Sequence, residues 1–399
     1  MLNIVFYFQV HQPYRLTHFN VLDIGNNAKI FDERLNSNVM RKVSKNCYLP
    51  TNQLLLELIQ KYEGRFKVAF SITGTAIEQF KLYSPETLDS FKCLIDTGCV
   101  ELLGETYFHS LSFLFDTNDF LDQVYMHREL MQKEFGYYTT TFRNTELIYQ
   151  DRLSDIIYEI EGFKTIITEG VDRILQWRSP LYAYKNYAKN LNLLLKYYQL
   201  ADDIAFRFSN RDWPEYPLTV DKFVNWIDHL TLAEKEGKNL FLNLFMDYET
   251  FGEHQWASTG IFDFMRHFPD AVLSKSHLGF ANPKDVSRLA NYQQESLSFP
   301  EPVSWADEQR DLSAWLGNEM QQNASETLYE LINRIKEKGD TDLLRMARLL
   351  STSDHFYYMC EKYFQDGDVH KYFSPYDSPD QAYIYYINAL TELEERLLR

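Results

Sequence analysis

The sequence predicts an α/β fold: an incomplete TIM-like (β/α)7 barrel, one strand short of eight, followed by a C-terminal bundle of helices. Three observations point there. Apolar, β-branched or aromatic runs recur at residues 2–10, 66–72, 99–103, 139–142, 164–168, 204–208 and 239–246, giving seven strand candidates. Amphipathic helical patterns separate several of them, and strands alternating with helices of that length imply a parallel sheet. From Leu312 onward the pattern is helical throughout. An open doubly wound sheet is the alternative, because spacing alone does not say whether the first strand meets the last.

Taken in order, the first run is apolar from Leu2 to Val10 apart from Asn3 and Gln9. The helix expected at 52–62 places Leu54, Leu55, Leu58, Ile59 and Tyr62 on one face, with Gly64 beyond to stop it. Ser84-Pro85-Glu86 opens another helix with a hydroxyl at the N-cap, proline in the first turn and a carboxylate at the positive end of the dipole; Gly98 closes it. Further helices are expected at 119–135, 151–161 and 220–236. Residues 177–200 break the alternation with a Tyr- and Lys-rich stretch that suits a hairpin inserted into the barrel. Asn282-Pro283, Phe299-Pro300 and Glu301-Pro302 discourage helix across 276–302, which reads as a connection. Helices follow at 312–338, 341–364 and 379–398, the first carrying Leu316, Met320, Leu328, Leu331, Ile332 and Ile335 and ending at Gly339-Asp340. The expected division is therefore a barrel over 1–270, a connecting segment over 271–310 and a helical region over 311–399.

A chain of 399 residues, 45% of them hydrophobic, can bury a large core without disulfides. Its 40 Lys and Arg against 57 Asp and Glu leave a net charge of −17, which repels a phosphate backbone, and no basic stripe offsets it. Nucleic acid is thus not an expected partner. No apolar run reaches the roughly 18 residues of a membrane span, and the first residues lack a basic region and cleavage site, so a cytoplasmic protein is expected. Cys47, Cys93, Cys99 and Cys360 form no C-x-x-C pair and read as reduced thiols. Neither a cofactor nor a metal is expected. Oligomeric state is not legible.

Functional side chains of parallel barrels gather where strands end. After the first strand come His11-Gln12-Pro13. The third is followed by Gly104-Glu105-Thr106-Tyr107-Phe108-His109, a carboxylate and an imidazole four residues apart. Arg143-Asn144-Thr145-Glu146 follows the fourth, with Glu146 standing among apolar and amide neighbours, so it must be exposed, paired with a group such as Arg143, or used. The last, nearly uninterrupted apolar strand runs into Asp247-Tyr248-Glu249-Thr250-Phe251-Gly252-Glu253-His254-Gln255-Trp256. Asp247 and Glu249 share a face if the strand continues, and their roles could be exchanged. Carboxylates on separate strands suit glycosidic bond cleavage with retention, one attacking the anomeric carbon and the other donating and then accepting a proton.

In their order and context these motifs resemble glycoside hydrolase family 57, across roughly residues 1–270. The resemblance implies Glu146 as nucleophile and Asp247 as acid/base, with His11 and the Glu105/His109 region lining the substrate subsites. Gln12, Arg143, Glu249, Trp256 and Asp354 complete the substrate-binding candidates. The family's last motif, an aromatic-rich acidic patch, is represented by Trp305-Ala306-Asp307 or by Ser353-Asp354-His355. The implied activity is α-amylase-like hydrolysis of an α-1,4-glucan, with 4-α-glucanotransferase the runner-up on the same site. Two other readings compete: a metal-dependent polysaccharide deacetylase using His11, His109, His254 and Asp247, and a glucan-binding protein without activity.

Overall fold

The computed structural model describes residues 1–188, 191–232, 238–290, 295–362 and 374–399. Ten strands are present among them: β1 (Leu2–Val10), β2 (Val68–Ile72), β3 (Val100–Leu102), β4 (Thr141–Arg143), β5 (Thr165–Glu169), β6 (Tyr184–Asn186), β7 (Asn192–Lys196), β8 (Leu240–Asp247), β9 (Leu278–Phe280) and β10 (Ser296–Leu297). Seven of these close a parallel ring. One edge of β1 pairs with β8 along its length and the other with β2; β2 pairs with β3, β4 with β5, β5 with β7, and β7 with β8. Gly104 bridges the remaining gap, its amide donating to the Thr141 carbonyl (2.9 Å) and its carbonyl accepting from the Arg143 amide (2.8 Å). A Cβ there would lie 2.7 Å from the Phe163 ring, so a side chain at this position would have to displace that ring.

The other three strands fill the splayed lower ends. β9 pairs with Leu2–Ile4 of β1 below β2, while β6 runs antiparallel to the start of β7 and carries β10 on its far edge. Side chains alternate across the ring with the period of two that pleating imposes. Val5, Tyr7, Ala69, Leu103, Ile167, Leu194, Phe241 and Phe245 pack inside it, and the intervening residues pack outward against helices. The same alternation turns Gln9, Arg143, Glu169, Lys196 and Asp247 inward at the strands' carboxyl ends.

One expected strand is corrected. Residues 204–208 are not extended: Asp203–Arg207 forms a turn of π-helix whose Ile204 and Ala205 are buried in the outer core. The strand that completes the ring is β7, inside the stretch expected to be a hairpin, and it does pair with β6 as one. Its Leu193, Leu194 and Leu195 are fully buried, each contributing roughly 2 kcal/mol of transfer free energy.

Helices form where expected, at Leu49–Lys61, Pro85–Asp96, Thr117–Phe135, Asp151–Tyr158 and Val220–Leu232; the further residues 233–236 expected for the last lie outside the described ones. The Ser84 hydroxyl bonds the side chains of Glu86 and Thr87 rather than a backbone amide. Asp116 caps the 117–135 helix by accepting from the amides of Asn118 and Asp119. C-terminal helices occupy Ser313–Leu316, Glu319–Lys338, Thr341–Leu350, Ser353–Tyr357 and Pro379–Leu398, so the helix expected at 341–364 is interrupted at Ser351 and Thr352, and its residues 363 and 364 lie outside the described ones. That interruption docks on the barrel. Thr352 Oγ1 donates to the Phe108 carbonyl (2.8 Å) and the Ser353 amide to that of His109 (2.9 Å). Among the described residues, no helix is long and apolar enough to cross a membrane.

Candidate active site

A cavity of about 260 Å³ opens at the carboxyl ends of the ring strands, lined by residues that include His11, Gln12, His109, Glu146, Asp247, Glu249 and Asp354. Glu146 reaches it from a tight turn, Thr145–Leu147, in which Glu146 (φ 57°, ψ 25°) and Leu147 (φ 51°) adopt left-handed backbone. For residues with a Cβ that conformation costs on the order of 1–3 kcal/mol each and needs support from outside the turn. Support comes from downstream. Val303 and Tyr149 exchange backbone hydrogen bonds of 2.9 and 3.0 Å, and the Trp305 amide donates to the Glu146 carbonyl (3.2 Å).

Trp305 also donates its indole Nε1–H to Glu146 Oε2 (2.7 Å), while the other oxygen, Oε1, accepts from Ser353 Oγ (2.7 Å) and lies 3.4 Å from His109 Nε2. Both segments proposed for the family's last motif therefore touch the same carboxylate. Burial pushes the Glu146 proton affinity up, but the hydrogen bond and charge of His109, with Arg143 behind it, outweigh burial and hold the group below the ordinary glutamate range.

Beneath His109 lies Glu105, fully buried and outside the cavity lining, with Oε2 3.2 Å from His109 Nδ1 and 3.8 Å from Arg143 Nη1. Its other oxygen takes hydrogen bonds from Ser71 and from Gln9. Burial opposes charge on both partners. Even so, His109 and Arg143 bring Glu105 down to about 2, and the two glutamates raise His109 to about 9, so the imidazole carries its proton at neutral pH. His11 stacks on His109 at 4.1 Å between ring centroids, its ring nitrogens 3.0 Å from Thr73 Oγ1 and from Asp354 Oδ2.

Asp247 ends β8 in different surroundings. No described side chain hydrogen-bonds to it, and burial followed by the charge of Glu146 pushes its pKa up to about 6. Glu249, two residues on, is raised to about 8 by burial and by Asp247. Its Oε1 accepts from the Tyr48 hydroxyl and from Gln12 Nε2 (3.1 Å), and Arg15 Nη2 in turn donates to Gln12 Oε1 (3.0 Å).

Of the residues expected at the site, Glu105 and Arg143 sit under the cavity rather than in it. Trp256 does not line it, being 62% exposed just past the β8 loop. Lys196, Asp202 and Arg310 were not foreseen; misplacing the seventh strand hid the first two. His11 and His109 stack face to face with all four ring nitrogens already engaged, so their lone pairs do not converge as a metal site requires. Among the described residues no group of three His, Cys, Asp or Glu is placed to hold a metal ion.

A family model described as glycosyl hydrolase family 57 matches residues 5–300. A Methanocaldococcus jannaschii protein that carries the provisional name alpha-amylase is 44% identical over 403 aligned residues, spanning 98% of this chain and 84% of that protein. Among solved structures, a branching enzyme from Thermococcus kodakaraensis superposes with a TM-score of 0.68 at 13% identity, over 93% of this chain and 87% of its own. An alpha-amylase from Thermotoga maritima gives 0.65 at 12% identity, over 99% and 93%. A 4-alpha-glucanotransferase from Thermococcus litoralis gives 0.66 at 16%, over 89% of this chain but 56% of that one. At these identities the superpositions establish the fold.

Proposed function

The chain belongs to glycosyl hydrolase family 57 and is a glycoside hydrolase, and from that premise we propose that it cleaves α-1,4-glucosidic bonds of α-glucans with retention. Glu146 is the nucleophile and Asp247 the acid/base. The observation that carries this reading is the contrast between the two carboxylates of one cavity. Glu146 is fixed by three donors and held ionised, as a nucleophile must be; Asp247 has no side-chain donor among the described residues and keeps its proton to higher pH, as an acid must.

In the first step Asp247 protonates the glycosidic oxygen while a Glu146 oxygen bonds to the anomeric carbon, and the leaving sugar departs with its new hydroxyl. In the second, Asp247, now ionised, takes a proton from water as that water displaces Glu146, restoring the α configuration. His109 balances the charge of Glu146 while it is ionised, and Trp305 and Ser353 hydrogen-bond its two oxygens and orient its attack. His11, Gln12, Glu249 and Asp354 present polar groups to the bound sugars.

Incubation with maltooligosaccharides, following product length and anomeric form, tests the proposal with Glu146→Gln as the control. Shorter products that are first released as the α anomer, and that vanish in the variant, are expected. Products longer than the substrate would identify a 4-α-glucanotransferase, since a sugar hydroxyl can intercept the glycosyl-enzyme in place of water. Release of acetate from an acetylated glycan without chain cleavage would favour a deacetylase.

A further inference from the structure

Past Trp305, the cavity wall holds Lys196, Asp202 and Arg310, with Glu169 buried behind them, a cluster that the proposed chemistry leaves unused. Lys196 Nζ lies 3.1 Å from Asp202 Oδ1 and 3.7 Å from Glu169 Oε2; the Arg310 guanidinium lies 3.9 Å from each of the same two carboxylates. All are largely buried, with side-chain exposures of 6% for Lys196, 0% for Glu169, 13% for Asp202 and 14% for Arg310. Only the Lys196–Asp202 contact is a hydrogen bond. Arg310 Nε and Glu169 Oε2 are buried without a hydrogen-bond partner among the described residues. A purely structural ion network closes its distances, because a buried charge left short of partners is costly.

The guanidinium is nonetheless held where it is. It lies 3.7 Å from the centroid of the Tyr198 ring, and its loop is anchored by Arg173, whose guanidinium donates to the carbonyls of Gln309 (2.7 Å) and Arg310 (3.1 Å). Lys196 lies 5.4 Å from the centroid of the Trp305 ring, the same indole that bonds Glu146.

We infer that Lys196, Asp202 and Arg310 form a hydroxyl-binding subsite for one neutral sugar unit on the leaving-group and acceptor side of the scissile bond. A sugar hydroxyl both donates and accepts, so a pair of neighbouring hydroxyls can donate to Asp202 and accept from Lys196 and Arg310. Asp202 is the carboxylate that lines this wall, so a glucuronyl carboxylate would be set against it while an uncharged glucosyl unit would not. The side follows from the strands. Lys196 pairs with Asn243 of β8, whose end carries Asp247, and the sugar that departs is the one beside the acid. This inference rests on the roles proposed for Glu146 and Asp247.

The test compares maltohexaose with α-maltotriosyl fluoride, which places fluoride where the leaving sugar would be. Asp202→Asn and Arg310→Gln are each expected to lower kcat/KM for maltohexaose about tenfold to a hundredfold, as loss of a charged hydrogen bond does, while fluoride release changes less than about threefold. Unchanged fluoride turnover also shows that the variant is folded. Equal losses on both substrates, or no loss on maltohexaose, would overturn the subsite and leave the glycosidase reading standing. A native protein that turns over neither substrate would overturn both. If either substitution unfolds the chain, Arg310→Lys, which keeps the charge but loses the fork, gives the same comparison.

Discussion

The wall around Glu146 and the wall around Asp247 enclose one cavity but treat a carboxylate in opposite ways. Glu146 meets an imidazolium, an indole N–H and a hydroxyl. Asp247 meets burial and the negative charge of Glu146 itself. The pair is asymmetric because donors from three separate parts of the chain converge on one member only. Charge state in a buried site is thus set by where the donors are spent, and the role of each acid follows from it.

The largest expected effect comes from removing the charge that those donors serve. Glu146→Gln should lower kcat on maltooligosaccharides by at least about 10⁴-fold, with unchanged thermal unfolding; a smaller loss would mean that the donor-rich wall is not the nucleophile's. Asp247→Asn should cost about 10²- to 10⁴-fold on the same substrates and distinctly less on a glycosyl fluoride, whose leaving group needs no proton. If Glu249→Gln instead showed that substrate dependence, the acid would be Glu249.

Substitutions that blur the asymmetry should act through pH. The rate rises as Glu146 ionises, below the ordinary glutamate pKa, and falls as Asp247 loses its proton near 6, so kcat/KM should be bell-shaped. His109→Gln removes the charge that holds Glu146 down; its ascending limb should move to higher pH, and an unmoved limb would show that His109 does not set the ionisation. Trp305→Phe keeps the ring and deletes one donor. A loss of about three- to tenfold in kcat is expected, with the limb displaced in the same direction but less far.

Much of this arrangement was legible in the sequence, for physical reasons. β1 and the helix Pro379–Leu398 have the expected bounds because every position of β1 is buried and the helix keeps one apolar face, Ala382, Tyr386, Ala389, Leu390, Leu393 and Leu397, in a core. The motifs after β1, β3, β4 and β8 were found because strands buried on both faces stop abruptly at polar residues. β7 was misread because its ends, Asn192 and Lys196, are polar and yet point into the ring, where Asn192 bonds Thr165 and Ser287 and Lys196 bonds Asp202. The run at 204–208 has the opposite character, apolar in sequence but helical, since a wide turn hides the same side chains. Trp305 and Ser353 could be nominated only as alternatives, because a contact across 159 or 207 residues leaves no local pattern.

The left-handed turn at Glu146 has a consequence for synthesis of the chain. All seven ring strands lie before residue 248, yet the groups that brace the turn and clasp its carboxylate are Val303, Trp305 and Ser353. A nascent chain can therefore complete the ring on the ribosome while its glutamate still lacks the tryptophan and serine that hold it. The carboxylate gains its tryptophan and serine donors only after every ring strand has been made.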